Sequence, residues 1–145
     1  MNVKSNNVNQ MVLDLLRIGT FLLREGNRTT GEYDLTQQQF VVLKEIMEKG
    51  PISAKRIVGE LLFEKSNVSK IIRKLKTNAL IEVVVSADDA RMKILTITSR
   101  GRDVCKAIIE KFESWNQNWT APLADHEIEQ SDIVLQRICE LIRGE

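Results

Sequence analysis

The sequence predicts a mainly α-helical fold with one small β-hairpin, an α+β arrangement, and three observations predict it. Apolar residues recur at helical spacing over four stretches, near 8–25, 36–49, 99–120 and 125–142. Two shorter helical stretches, 54–61 and 65–78, lie in the middle and are joined by a turn of only three residues, Leu62-Phe63-Glu64. The only β-rich segments, 81–86 and 93–97, flank a polar turn at Asp88-Asp89-Ala90.

The chain has 145 residues, enough for one domain with a real core. Apolar residues make up 43% and charged residues 28%, which excludes a disordered chain. The apolar run from Met11 to Leu23 is broken by Asp14 and Arg17 and is too short to span a bilayer. The first ten residues are polar and Asn-rich and lack the apolar segment of a signal peptide, so a cytoplasmic protein without membrane partners is expected. Cys105 and Cys139 have no metal-ligand spacing and read as small core residues. His126 is the only histidine, exposed in the first turn of the last helix, and no metal or other cofactor is expected.

The net charge of +1 hides an uneven distribution. Residues 53–101 carry ten Lys/Arg against five Asp/Glu, and the remainder carries eleven against fifteen. A basic centre in a mildly acidic frame suits a polyanion-binding module on a separate scaffold.

In the first helix, Val8, Met11, Val12, Leu15, Ile18 and Leu22 form one stripe, while Leu13, Leu16, Phe21 and Leu23 lie off it. A helix apolar over most of its girth needs cover on more than one side, which a partner subunit would supply. Residues 26–31, Gly-Asn-Arg-Thr-Thr-Gly, read as a loop. Thr36 with Gln39 is placed as a capping box, and Leu35 with Phe40 as a hydrophobic staple. That helix stops at Gly50-Pro51, and Ser53 caps the next, with Ile57, Val58 and Leu61 inward.

The helix from Lys65 organises the rest. Val68, Ile71, Ile72 and Leu75 fall on one stripe. The other face carries Ser66, Asn67, Ser69, Lys70, Arg73, Lys74 and Thr77, with no carboxylate among them. A solvated face normally mixes both signs. Cations with short hydrogen-bonding side chains suit a polyanion whose edges are also read. Near Asn78 the helix ends, because Asn tolerates the left-handed conformation. Two helices around a short turn make a helix-turn-helix, and the hairpin that follows is placed as the wing of a winged helix. Thr98 caps the next helix, which carries Val104, Ile108, Phe112, Trp115 and Trp119 and breaks at Ala121-Pro122. Trp115 and Trp119 read as core or dimer contacts. Asp125 opens the last helix.

Three motifs, in order, resemble the MarR family of bacterial transcription regulators over about residues 8–143. They are Leu35-Thr-Gln-Gln-Gln-Phe-Val-Val-Leu43, then Lys65-Ser-Asn-Val-Ser-Lys-Ile-Ile-Arg-Lys-Leu75, then Asp89-Ala-Arg91 with Leu95-Thr-Ile-Thr98 and Gly101. The resemblance implies a homodimer built as one interlocked domain. Residues 1–34 would supply a dimerisation helix and loop, 35–100 the winged helix-turn-helix, and 101–145 two further dimerisation helices. In many members a ligand pocket lies between the dimer helices and the DNA-binding lobe. Nothing in this sequence identifies a ligand-binding residue. The chain departs from the family pattern at Leu62, where a small residue or Gly is usual, at Ala79, where Gly is usual, at Glu64, where Ser or Asp is common, and at Val83-Val84-Val85, where Arg is common.

The expected function is a dimeric, sequence-specific DNA-binding transcription regulator, a repressor relieved by a small-molecule inducer, on a pseudo-palindromic double-stranded operator. Ser66, Asn67, Ser69, Lys70 and Arg73 are the candidate major-groove face. Ser53, Lys55, Arg56, Lys65 and Lys74 are candidates for the backbone. In the wing, Arg91 would enter the minor groove, with Lys93 beside it and Asp89 orienting its guanidinium. The alternative is a winged-helix protein-interaction module without sequence-specific DNA binding, supported by Glu64 and the apolar first wing strand. No paired carboxylates, phosphate loop or nucleophile–His arrangement points to an enzyme.

Overall fold

The computed structural model describes residues 3–145; Met1 and Asn2, at the head of the expected N-terminal segment, lie outside it. The chain divides into two compact units, with the boundary in sequence between Gln37 and Gln38.

The first unit is dominated by one helix, α1 (Val3–Gly31). It is longer than its sequence predicts at both ends, and residues 26–31 are helical rather than a loop. The polar residues that suggest a loop direct their hydrogen bonds along the helix or onto the next element. The Thr30 hydroxyl donates to the Gly26 carbonyl at 3.2 Å, and the Asn27 side-chain oxygen accepts the Gln37 backbone N–H at 2.8 Å. Gly26 is buried, and a Cβ there would lie 2.3 Å from the Gln37 carboxamide. Its role is close approach, not flexibility. The chain turns after α1 with the Thr30 carbonyl accepting from Tyr33 and Leu35.

The second unit holds five helices and a three-stranded sheet. They follow in the order α2 (Gln37–Lys49), β1 (Ile52–Ser53), α3 (Ala54–Leu61), α4 (Lys65–Thr77), β2 (Ile81–Val85), β3 (Lys93–Ile97), α5 (Ser99–Thr120) and α6 (Asp125–Arg143). This is the mainly helical fold with a small wing that the sequence predicts. Strand order is β1-β3-β2, antiparallel throughout, with Val83 opposite Leu95 and Ile52 on the other side of Leu95. The strand at Ile52–Ser53 is additional to the predicted hairpin.

Val42, Leu43, Ile46, Ile57, Val68, Leu75, Leu95 and Ile108 make the buried core. Each fully buried aliphatic side chain contributes roughly 1.5–3 kcal/mol. The predicted stripe of α4 is buried in full, at Val68, Ile71, Ile72 and Leu75. Phe40 meets Phe112 with ring centroids 5.3 Å apart. Cys105 is buried among these residues, and desolvation pushes its thiol up to about 11, which keeps it protonated and inert. Cys139 differs from the core reading, being only half-buried on α6. Among the described residues no helix is long and apolar enough to cross a membrane.

The predicted caps at Ser53 and Thr98 form. Ser53 Oγ accepts the Arg56 N–H at 3.2 Å and Thr98 Oγ1 accepts the Gly101 N–H at 3.0 Å. The end of α4 differs in one residue. Asn78 has φ −82°, and Ala79 takes the left-handed conformation at φ 60°. Leu80 N–H donates to Leu75 and Ala79 N–H to Lys76, the paired bonds of a Schellman motif, which require the left-handed residue at 79. Exposed Ala79 packs little, so Ala79→Gly is expected to stabilise the fold by about 0.5–1 kcal/mol. A urea midpoint unchanged or lowered by that substitution would contradict the strain.

Candidate nucleic-acid interface

Three elements converge on one face of the second unit. Ser53 and Lys55 stand at the start of α3, Lys65 and Ser69 on the first turns of α4, and Asp89, Arg91 and Lys93 on the wing. All seven line a single cleft of about 620 Å³, with Val58, Val68 and Met92 among its apolar lining. The pairing of β1 with β3 explains the convergence. Ser53 is opposite Ile94, so the start of α3 lies beside the root of the wing.

Lys55, Lys65, Lys70, Arg73, Arg91 and Lys93 are exposed, and among the described residues no carboxylate forms an ion pair with any of them. Ser66 is exposed at the second position of α4. Ser69 is exposed too, with its hydroxyl donating to the Lys65 carbonyl at 3.0 Å. Lys74 is half-buried in the last turn of α4. Asn67 is half-buried and donates from Nδ2 to Gln38 Oε1 at 3.2 Å.

Two candidate residues are engaged differently from expectation. Asp89 does not hold the Arg91 guanidinium; its Oδ1 accepts the Arg91 backbone N–H at 2.9 Å, which shapes the turn and leaves the guanidinium exposed. Arg56 is drawn into an ion-pair network. Its Nε meets Glu60 Oε1 at 2.9 Å, while Lys49 bridges Glu60 and Glu45 at 2.5 and 2.6 Å. Hydrogen bonds from Glu45, Lys49 and Arg56 hold the Glu60 carboxyl at about 2, so it stays charged and keeps Arg56 engaged.

The turn between α3 and α4 places Leu62 in the left-handed region, at φ 59° and ψ 25°. That is the conformation for which Gly is the easier residue. The helix-turn-helix geometry therefore persists despite the larger side chain. Glu64 is the N-cap of α4 and makes no side-chain capping bond.

A family model for the MarR family matches residues 33–92, the span from the entry of α2 to the wing. The HTH-type transcriptional regulator YsmB of Bacillus subtilis (strain 168) is 23% identical over 114 residues, 79% of this chain and 78% of YsmB. The HTH-type transcriptional regulator MgrA of Staphylococcus aureus is 27% identical over 78 residues, 54% of this chain and 53% of MgrA. The crystal structure of a MarR family transcriptional regulator from Listeria monocytogenes, complexed with 26mer DNA, matches with a TM-score of 0.85 at 25% identity, over 92% of this chain and 89% of that one.

Over its winged helix, residues 33–92, the chain is similar to the MarR family. MarR-family proteins are transcription regulators and not enzymes, and this chain has their winged-helix fold. Its cleft also includes residues that sequence reasoning passes over. Val58 reads there only as an inward residue, and Met92 carries no polar signal. Gln38 stands apart from the basic segment, and no local spacing links it to Asn67.

Proposed function

We propose that this chain is a MarR-type homodimeric repressor that binds a pseudo-palindromic operator, with α4 in the major groove and the wing in the adjacent minor groove. The observation that carries the reading is the convergence of Lys55, Lys65, Arg91 and Lys93 on one cleft beside the exposed face of α4. Ser66, Asn67, Ser69 and Lys70 lie in the N-terminal half of α4, the part that approaches base edges in helix-turn-helix proteins, and Arg73 lies one turn beyond Ser69 and Lys70. Lys55, Lys65 and Lys74 take phosphates. Ser53 is assigned to the backbone less directly, because its hydroxyl already caps α3, and Arg56 joins only by leaving Glu60.

Dimerisation is supported by two helices that expose apolar side chains. Val8, Met11, Val12, Leu16, Ile18 and Leu23 are exposed on α1. On α6, Ile128, Ile133, Val134, Leu135, Leu141 and Ile142 are exposed over most of its girth, and this helix has no buried residue. Helices of this character are stable when a second surface covers them. Acting on an operator, the dimer works in the cytoplasm. A small-molecule inducer would release it by binding the DNA-incompatible geometry more tightly than the competent one.

The test is titration of the full chain against its own upstream DNA across a range of salt. Specific binding with a steep salt dependence is expected. Arg91→Ala is expected to weaken it about tenfold, the scale of one good groove contact, and to leave thermal unfolding unchanged. Wild-type affinity in that variant would remove Arg91 from the wing assignment. A second reading, a protein-interaction module, draws on the exposed Val84 and Val85 of the wing. Its mark would be equal affinity for promoter and random DNA at physiological salt.

A further inference from the structure

Asn67 is the third residue of α4, in the turn nearest the predicted base edges. Its amide is already engaged across 29 residues of sequence, with Nδ2 donating to Oε1 of Gln38 on α2 at 3.2 Å in a part-buried setting. A primary amide carries two N–H donors and one carbonyl acceptor. Recognition of adenine in the major groove uses both kinds, the oxygen accepting from N6 and one N–H donating to N7. A freely solvated amide presents either end to the groove, because turning it over changes its shape very little. The bond to Gln38 restricts that freedom, because Asn67 can turn only if the Gln38 amide turns with it. One N–H of Asn67 is committed, and the remaining N–H and Oδ1 are displayed in one sense.

We propose that Gln38 is a positioning residue for base recognition: it sets the amide orientation of Asn67 and so the preference for adenine at the position Asn67 meets. The proposal rests on the DNA-binding reading above. Gln38 acts through Asn67 and has no need to touch a base. Loss of its acceptor leaves Asn67 able to turn, and an amide that can turn accepts other base edges.

The test is selection of duplexes from a random pool by the full-length protein and four variants: Gln38→Leu, Gln38→Glu, Asn67→Ala and, as a control for general weakening at a phosphate-contacting residue, Lys55→Ala. Wild type is expected to enrich adenine at one position in each half-site. Gln38→Leu and Asn67→Ala are expected to lose about tenfold of that preference at that position alone. Gln38→Glu keeps an acceptor for Asn67, so it is expected to keep the adenine preference while binding every sequence more weakly, since its charge lies near phosphates. Lys55→Ala weakens binding to every sequence and leaves the adenine preference as in wild type.

Retention of the adenine preference by Gln38→Leu would overturn the proposal. So would its loss in Gln38→Glu. Thermal unfolding measured alongside separates a plain tie between α2 and α4, which would lower stability and weaken all positions equally, and that result also overturns positioning. A wild-type protein that enriches no motif overturns the DNA-binding reading itself, a different result from enrichment that Gln38→Leu leaves unaltered.

Discussion

Glutamate at both Leu135 and Ile142 is expected to leave the chain as separate protomers and to weaken binding to the full operator at least a hundredfold. The two side chains lie two turns apart on the same side of α6 and are 46% and 64% exposed. Little packing within the protomer is therefore lost, and the variant folds. In a covered interface the same charges would be buried without partners, which a dimer does not tolerate. Linking two half-site contacts raises apparent affinity by about 10²–10⁴, and separated protomers forgo that gain. Sedimentation velocity reads the first effect, and titration against full and half operators reads the second. Half-site affinity is expected to be unchanged. A variant that sediments as wild type would place the interface elsewhere than α6.

Gly101→Ala is expected to cost roughly 3 kcal/mol of stability, at the upper end for overpacking, and to lower the melting temperature by on the order of 10 °C. Gly101 is buried at the start of α5. A Cβ there would lie 2.0 Å from the Leu80 carbonyl oxygen and 2.9 Å from Ile97 Cγ1. The obstruction is backbone, so no rotamer change relieves it. That carbonyl also accepts the Thr98 N–H at 3.1 Å, and Thr98 caps α5, so movement of the Leu80 segment disturbs the helix start as well. Differential scanning calorimetry checks the value. A melting temperature within a degree or two of wild type would show that the approach is not as close as described.

The parts of this fold that are legible in the sequence are those fixed by neighbours in sequence. Val68, Ile71, Ile72 and Leu75 sit at helical spacing and are buried together. Ser53 and Thr98 are short oxygen-bearing side chains at helix starts, and both cap. The less legible parts depend on residues far apart. Ile52–Ser53 is two residues long, too short for any alternation to show, and is a strand only because β3 is alongside. Residues 26–31 resemble a loop in composition, but Asn27 and Thr30 find partners that let the helix continue. Arg56 illustrates a signal that was present: Glu60 lies four residues on, at ion-pair spacing on one helix face. Gln38 could not be found this way, because its bond to Asn67 is purely tertiary. The candidate site follows the same division. Its α4 face is periodic and legible, whereas its union with the wing and the start of α3 depends on a strand pairing that only the fold reveals.

That pairing has a mechanical consequence. A hairpin rooted on one side would swing like a flap. Here β3 is flanked by β1 as well as β2, and β1 runs directly into α3. The root of the wing that carries Arg91 is thus held on both sides, which limits its offset from α4. On the proposed docking, this offset acts as a gauge between major and minor groove. DNA whose twist or groove width departs from it must deform to fit, and the cost depends on how easily its base steps yield. Operators would then be sorted partly by their compliance, at base pairs that no side chain touches.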